Sequence, residues 1–390
     1  MPTTVAGFRF AGIAAGIKKN GRPDVALIAT NGPVPAAAVF TQNRVVAAPV
    51  VVSRAHVRAG KLAGIVVNSG NANACTGKPG LDGARRMTAL AAQALGAKPT
   101  QIGVASTGVI GVPLPMDKLE RGIPQAAAAL RPEWDDFVQA ILTTDRSAKT
   151  HVATATLGKR TVTVAGCAKG AGMIAPNMAT TLSFLTTDAN VSPAWLRAVT
   201  RRGVDATYNR VLVDGDTSTN DALFVLASGA AQNGTSGLSA LERAINEVMD
   251  ALARMLVADG EGAAHVAEIQ VTGAPSDRGA EAVARAVATS PLVKTALSSA
   301  DPNWGRILGA AGRAGVAFDP DKLTLDFDDV PIVRRGVGVV DETSEARAHA
   351  VLSRPSYTIR LHLGSGRGRW VVWTCDLGHE YVRINASYRS

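Results

Sequence analysis

Two hydrophobic periods alternate along the chain. Runs of β-branched, leucine and aromatic residues predict strands at 8–17, 25–29, 37–40, 49–52, 62–67, 102–105, 150–157 and 160–168. Later runs of the same kind fall at 180–187, 223–226, 266–271, 323–327, 356–363 and 369–374. Helical spacing marks 82–95, 117–130, 133–142 and 280–289. It is clearest at Leu238, Leu241, Ile245, Val248, Leu252 and Met255, in a helix running to Ala258. Turn chemistry agrees with these elements. Asn20-Gly21 and Gly158-Lys159 read as hairpin joints, Gly96 as a helix stop, and Ser192-Pro193 as an N-cap followed by a first-turn proline. Hairpins and crossovers mix throughout, an α/β (α+β) pattern with no internal repeat and no linker that separates domains.

Composition narrows the classes. The 390 residues are 46% hydrophobic but only 4% aromatic, with 39 glycines, so the core is built largely from small residues. No run of 18 apolar residues is present, which predicts no membrane span, and Arg9 interrupts the mildly apolar start, which argues against a signal peptide. Three cysteines without a C-x-x-C pair suit a reducing cytoplasm. The net charge of +9 is scattered over pairs such as Lys18-Lys19, and few aromatics are present to stack on bases. A solvated basic surface, or a field attracting anionic substrates, is expected rather than a nucleic-acid site. The six histidines have no metal-ligand spacing, and neither a G-x-S-x-G elbow nor a P-loop ending occurs.

The densest chemistry lies between Lys169 and Asp188. Gly170, Gly172 and Pro176 break both helix and strand, so that half is a loop, and a strand-like run follows from Thr180. A threonine at such a junction is usually a strand start. It also has a chemical option: its hydroxyl can attack the Ala179 carbonyl, and hydrolysis of the resulting ester frees Thr180 as a new amino terminus. An α-amine with a pKa of about 7.7–8.0 can then serve as base for its own residue's hydroxyl. Gly170-Ala171-Gly172-Met173-Ile174-Ala175 also fits G-x-G-x-x-A, but Pro176 stands where the fingerprint needs a helix. Asn68-Ser69-Gly70-Asn71-Ala72-Asn73 reads either as a site-lining strand exit or as an Asn-rich turn. In Thr107-Gly108 a glycine leaves backbone N–H groups able to point at an anion.

Lys169 to Thr180 resembles the autoproteolysis segment of the ornithine acetyltransferase family of arginine biosynthesis. Ser106 to Gly111, Thr143-Thr144-Asp145, Asp216 to Asp221, Asp259-Gly260-Glu261-Gly262 and Asp301 to Arg306 resemble that family in the same order, from about Gly7 to Ser390. The resemblance implies acetyl transfer from N-acetylornithine to glutamate, giving ornithine and N-acetylglutamate; some members also use acetyl-CoA. It implies cleavage between Ala179 and Thr180, with Thr180 as nucleophile and Thr107 and Gly108 as oxyanion hole. Thr143, Lys169, Thr180, Glu261, Asn385 and Ser390 become substrate contacts, with no metal and no resident cofactor. The implied fold is an α-β-β-α layered sandwich related to amino-terminal nucleophile folds, plus a smaller α/β part. Residues 1–179 and 180–390 would be interwoven α and β chains, assembling as a cytoplasmic heterotetramer of two each. A related self-processing amide hydrolase or aminopeptidase is the alternative. Ser183 and Thr181 depart from the residues expected there, small or apolar and methionine or leucine respectively.

Overall fold

The structure is a computed structural model and describes residues 4–175, 181–339 and 341–387. In chain order, the elements as far as the first long helix are β1 (Phe8–Ile13), β2 (Val25–Phe40), α1 (Ala48–His56), β3 (Lys61–Asn71), α2 (Gly77–Leu95), β4 (Ile102–Val109), α3 (Met116–Ala128), α4 (Asp135–Ile141), β5 (Lys149–Leu157), β6 (Arg160–Lys169), β7 (Leu182–Thr187), α5 (Pro193–Ala206), β8 (Val211–Leu212), β9 (Ala222–Ala227) and α6 (Leu238–Ala258). The chain divides into two compact units. The first comprises residues 1–209 and 216–256, and the second residues 210–215 and 257–389.

The first unit is organised on β2. Its first half pairs with β1 and β3, and its second half, Ala36–Phe40, pairs with β9. The β2–β3 register shifts between Ala29 and Val34, around Gly32 at φ +92°. One long strand therefore leaves one β layer and enters the other, giving the order β4-β3-β2-β9-β7-β6-β5 with β1 beside β2. Alternation along the strands sorts the faces. Phe10, Ile28 and Ile65 from the first layer meet Phe184, Phe224 and Leu226 from the second in one core. Phe137 of α4 bridges them, with ring centroids 6.1 Å from Phe10 and 5.1 Å from Phe184. Val25, Leu27 and Val66 face the other way and pack against Met87 and Leu90 of α2 and Leu119 and Ile123 of α3. On the outer side of the second layer, a Cβ added at Gly166 would lie 2.5 Å from Val248 and 2.9 Å from Leu252 of α6. The order of layers is α, β, β, α, as expected.

The second unit adds β10 (Val266–Ala274), α7 (Asp277–Ala288), α8 (Pro291–Ser298), α9 (Trp304–Gly312), β11 (Thr324–Phe327), β12 (Val330–Arg334), β13 (Val337–Gly338), α10 (Glu342–Leu352), β14 (Ser356–His362), β15 (Gly368–Cys375) and α11 (His379–Ser387). Its mixed sheet runs β13-β12-β11-β14-β10-β15-β8. This is the smaller α/β part.

Two expectations change. Residues 49–52 are helical, not a strand: Pro49 sits in the first turn of α1, where its missing N–H costs nothing. The runs at 25–29 and 37–40 belong to one strand. The expected hairpin turn at Gly158, helix stop at Gly96 and N-cap at Ser192 are present; Ser192 Oγ accepts from the Trp195 N–H at 3.2 Å.

Candidate active site

β4 and β6 deliver the first cluster, inside the first unit. Thr107 and Gly108 lie in the last three residues of β4, where its ladder with β3 becomes irregular. Gly108 has φ +132°, and a Cβ there would sit 2.4 Å from the Gly70 carbonyl carbon. Only glycine allows that approach of strand ends. Lys169 ends β6 and is 8% exposed; its Nζ donates to Thr107 Oγ1 at 3.1 Å. The expected oxyanion turn and the expected substrate lysine are thus in direct contact.

A buried carboxylate organises the other side. Asp145 Oδ1 accepts from Lys149 Nζ at 2.7 Å and from the Gly170 N–H at 2.7 Å. Its Oδ2 accepts from the Thr143 N–H at 2.9 Å, with the Thr143 hydroxyl 3.5 Å away. Burial alone would push the Asp145 carboxyl up. The ammonium groups of Lys169 and Lys149, with these hydrogen bonds, outweigh it and hold the carboxyl well below the usual range. Asp145 therefore fixes both Thr143 and the first residue of the glycine loop. Lys18 stands nearby, its Nζ donating to the carbonyls of Pro23 and Leu142 at 2.7 Å. Burial is the main cause that lowers its pKa to about 8, with Asp24 opposing and Arg22 and Lys169 adding to the fall.

Gly170 to Ala175 forms bends rather than opening a helix, which disposes of the dinucleotide fingerprint. Ala179, Thr180 and Ser390 lie outside the described residues. Just after position 180, Thr181 and Ser183, the two departures from the expected pattern, hydrogen-bond to each other at 3.1 Å. Each satisfies the other at the buried start of β7. Cys167 is 1% exposed within the core, where burial pushes its thiol up; it is a packing residue.

In the second unit, Asn385 of α11 donates to Glu261 Oε2 at 2.9 Å and to the Tyr381 carbonyl at 3.1 Å. Gly262, at φ +73°, lets α11 come close: a Cβ would lie 2.4 Å from the Tyr381 nitrogen. The structure so brings together two of the expected substrate contacts that are 124 positions apart in sequence.

Three residues had no role in the sequence reading: Asp145, Lys149 and Asp221, the last buried within reach of the Lys169 charge. The signal for the first two was available, since an acid and a base four residues apart at a strand entrance can pair once both are buried. Among the described residues, no group of three or more His, Cys, Asp or Glu is placed to hold a metal ion. No helix among them is long and apolar enough to cross a membrane.

The sequence matches the ArgJ family over residues 9–390. The chain belongs to the ArgJ family. An arginine biosynthesis bifunctional protein ArgJ from Geobacter sulfurreducens is 47% identical, covering 99% of this chain and 100% of the relative. The ArgJ protein of Symbiobacterium thermophilum is likewise 47% identical, over 100% and 98% of the two chains. The crystal structure of an ArgJ from Bacillus halodurans is 37% identical, covers 54% of this chain and 100% of its own, and superposes with a TM-score of 0.51.

Proposed function

We infer that this chain is an acyltransferase of arginine biosynthesis that moves acetyl from N-acetylornithine to glutamate. The observation that carries the chemistry is the Lys169–Thr107 contact at the mouth of the glycine loop. Thr107 Oγ accepts from an ammonium that cannot accept in return, so its own hydrogen is left to donate to an oxyanion. Beside it, the Gly108 backbone supplies the N–H of a glycine-only strand end.

In this reading the chain cuts itself between Ala179 and Thr180. The freed Thr180 amine takes the proton of its own hydroxyl while that oxygen attacks the acetyl carbon. The same amine returns the proton to the departing ornithine amine, leaving an acetyl ester. Glutamate repeats the steps in reverse. The Lys169 ammonium provides charge for an anionic substrate group, Thr143 a hydroxyl, and Glu261 a carboxylate suited to ornithine's second amine, with Asn385 holding Glu261. Ser390 completes the proposed contacts. No resident cofactor is required, and acetyl-CoA is proposed as a further donor for glutamate. A cytoplasmic heterotetramer of two α and two β chains is proposed as the working form; β6 and β7, which flank the cut, pair as neighbours in one sheet.

The test is intact-mass analysis of purified protein with and without Thr180→Ala. Wild type should give two fragments, the second beginning at Thr180, and the variant one. A fully active, uncut wild type would sink the reading. Acetate release without glutamate would show the amide-hydrolase activity instead.

A further inference from the structure

Lys18, the first of the basic pair Lys18-Lys19, reaches the candidate site from the loop between β1 and β2, and the reaction above leaves it without a role. That loop is wound on Asp24, which is fully buried. Asp24 Oδ1 accepts from the Ala15 N–H at 2.7 Å, and its Oδ2 accepts from the N–H groups of Ile17 at 2.6 Å and Lys18 at 2.9 Å. The Asp24 main chain is anchored as well: its N–H donates to the Ile13 carbonyl at 2.8 Å, and its carbonyl accepts from the Ser69 N–H at 2.9 Å. Three backbone donors on one buried carboxylate fix the Lys18 backbone, and with it the direction in which the side chain leaves.

The side chain then meets two parts of the site. Its stem runs beside Gly70, where an added Cβ would lie 3.2 Å from Lys18 Cγ, and Gly70 in turn backs the Gly108 end of the oxyanion turn. Its ammonium donates to three backbone carbonyls, those of Pro23 and Leu142 at 2.7 Å and of Ala140 at 3.4 Å. The last two lie at the C-terminal end of α4, where carbonyls have no helical partner. Ser69 Oγ already donates to the Ala140 carbonyl at 2.5 Å, so Leu142 is the carbonyl that depends on Lys18.

The Leu142 carbonyl and the Thr143 N–H belong to one planar peptide group. Its oxygen accepts from the Lys18 ammonium, while its N–H donates to Asp145 Oδ2 at 2.9 Å. A cation at the oxygen end and an anion at the hydrogen end both follow the peptide dipole, and charge-assisted bonds of this kind are the stronger ones. The Thr143 side chain leaves from the adjacent Cα, so its hydroxyl is aimed by that peptide. Asp145 keeps Lys149 and the Gly170 N–H whether or not Lys18 is present. Loss of the Lys18 ammonium therefore releases the carbonyl half of this one peptide and leaves the glycine loop anchored.

We propose that Lys18 is a positioning residue for the acetyl transfer: its ammonium holds the Leu142–Thr143 peptide so that Thr143 meets the substrate in one orientation. This role rests on the transferase reading above and on Thr143 as a substrate contact. Lys18 acts through Thr143, so its effect falls on binding of N-acetylornithine more than on attack at the acetyl carbon.

The experiment is a double-mutant cycle on mature protein: wild type, Lys18→Met, Thr143→Ala and the two together, with KM and kcat for N-acetylornithine measured for each. Methionine keeps most of the stem beside Gly70 and removes the ammonium. Wild-type transfer is measured first; its absence would bring down the transferase reading and this role with it. With transfer present, Thr143→Ala should raise KM; if it does not, Thr143 falls as a substrate contact and Lys18 loses the residue it acts through. Lys18→Met should raise KM at least about fivefold with a smaller change in kcat, yet add less than about twofold on top of Thr143→Ala, where nothing is left to position. An unchanged KM in Lys18→Met, or effects that multiply in full in the double variant, would overturn the role and leave the transferase reading standing, since a general loosening of the fold acts on the two variants independently. If Lys18→Met does not fold or mature, Lys18→Gln, which keeps the stem and an uncharged N–H donor, takes its place in the cycle and the same comparison decides.

Discussion

Lys169 Nζ donates to Thr107 Oγ1 across 3.1 Å, and the direction of that bond cannot reverse, because an ammonium has no lone pair. The bond therefore sets where the threonine hydrogen points as well as where its oxygen sits. It gives a lysine that is 92% shielded from solvent a specific task besides charge.

Thr107→Val removes that donor while keeping the shape of the side chain. Losing one oxyanion donor typically costs about 2.7–4 kcal/mol, or roughly 10²–10³ in kcat. Thr107→Ser, which keeps the hydroxyl, should retain most of the rate. Single-turnover assays of both half-reactions check this. Equal rates for the valine and serine variants would leave the turn's backbone N–H as the donor.

Asp145→Asn should destabilise the fold, because it strands Lys149, which is 1% exposed, without its anion. Breaking such a buried pair costs about 3–5 kcal/mol. The acid limb should change too. A carboxyl held below its ordinary range contributes stability that is fully present above the unfolded-state pKa. That contribution is lost as pH falls through the folded-state value. Wild type should thus lose stability below about pH 4 on this account, and Asp145→Asn should show a shallower loss there. Denaturant melts at a series of pH values would reveal it.

The longer strands and the long helix α6 were legible because each carries a single period over several residues: α6 keeps its apolar stripe from Leu238 to Ala258, whereas the short β8, β12 and β13 carry too few residues to show one. The short helices α8 to α11 were not legible either. They hold 8 to 11 residues each, and α11 buries none of its side chains, so no stripe exists to read. The bend of β2 was hidden because Gly32 and Pro33 look like an ending, whereas here they steer one strand between two layers. At the candidate site, Thr107, Gly108 and Lys169 were named through the family resemblance, and the structure puts Lys169 and Thr107 in contact. Asp145 and Asp221 stood in the family-like segments without a role, because an aspartate in a polar run carries no sign in the sequence of whether it is buried. Only packing reveals that the first meets a buried lysine and that the second is itself buried, with no partner for Oδ2 among the described residues.

Gly262→Ala tests the second unit separately. The residue combines φ +73° with a site where a Cβ would lie 2.4 Å from backbone of α11. Both the left-handed strain and the clash oppose the substitution. The variant should displace α11 and break the Asn385–Glu261 bond, raising KM for N-acetylornithine at least several-fold while leaving the first unit folded. Proteolysis at α11 alongside kinetics would show both effects. Unchanged KM with α11 displaced would remove Glu261 and Asn385 from the proposed substrate contacts.

The order of chemical events gives the most demanding prediction. One nucleophile that carries acetyl from the first amine to the second requires ping-pong kinetics, with ornithine leaving before glutamate reacts. Double-reciprocal plots at several glutamate concentrations should be parallel. Incubation with N-acetylornithine alone should add one acetyl group to the fragment beginning at Thr180 and release ornithine in a burst; glutamate should discharge it. Thr107→Val should slow labelling and discharge alike, since both pass through a tetrahedral intermediate at the same carbon. Lys169→Ala should also weaken both, by an amount corresponding to about 1.5–3 kcal/mol for a charge-assisted bond. Intersecting plots without a labelled fragment would mean direct transfer between two bound amines. Thr180 would then be a cleavage site but not the acetyl carrier, and the Lys169–Thr107 pair would act on an intermediate formed between the substrates themselves.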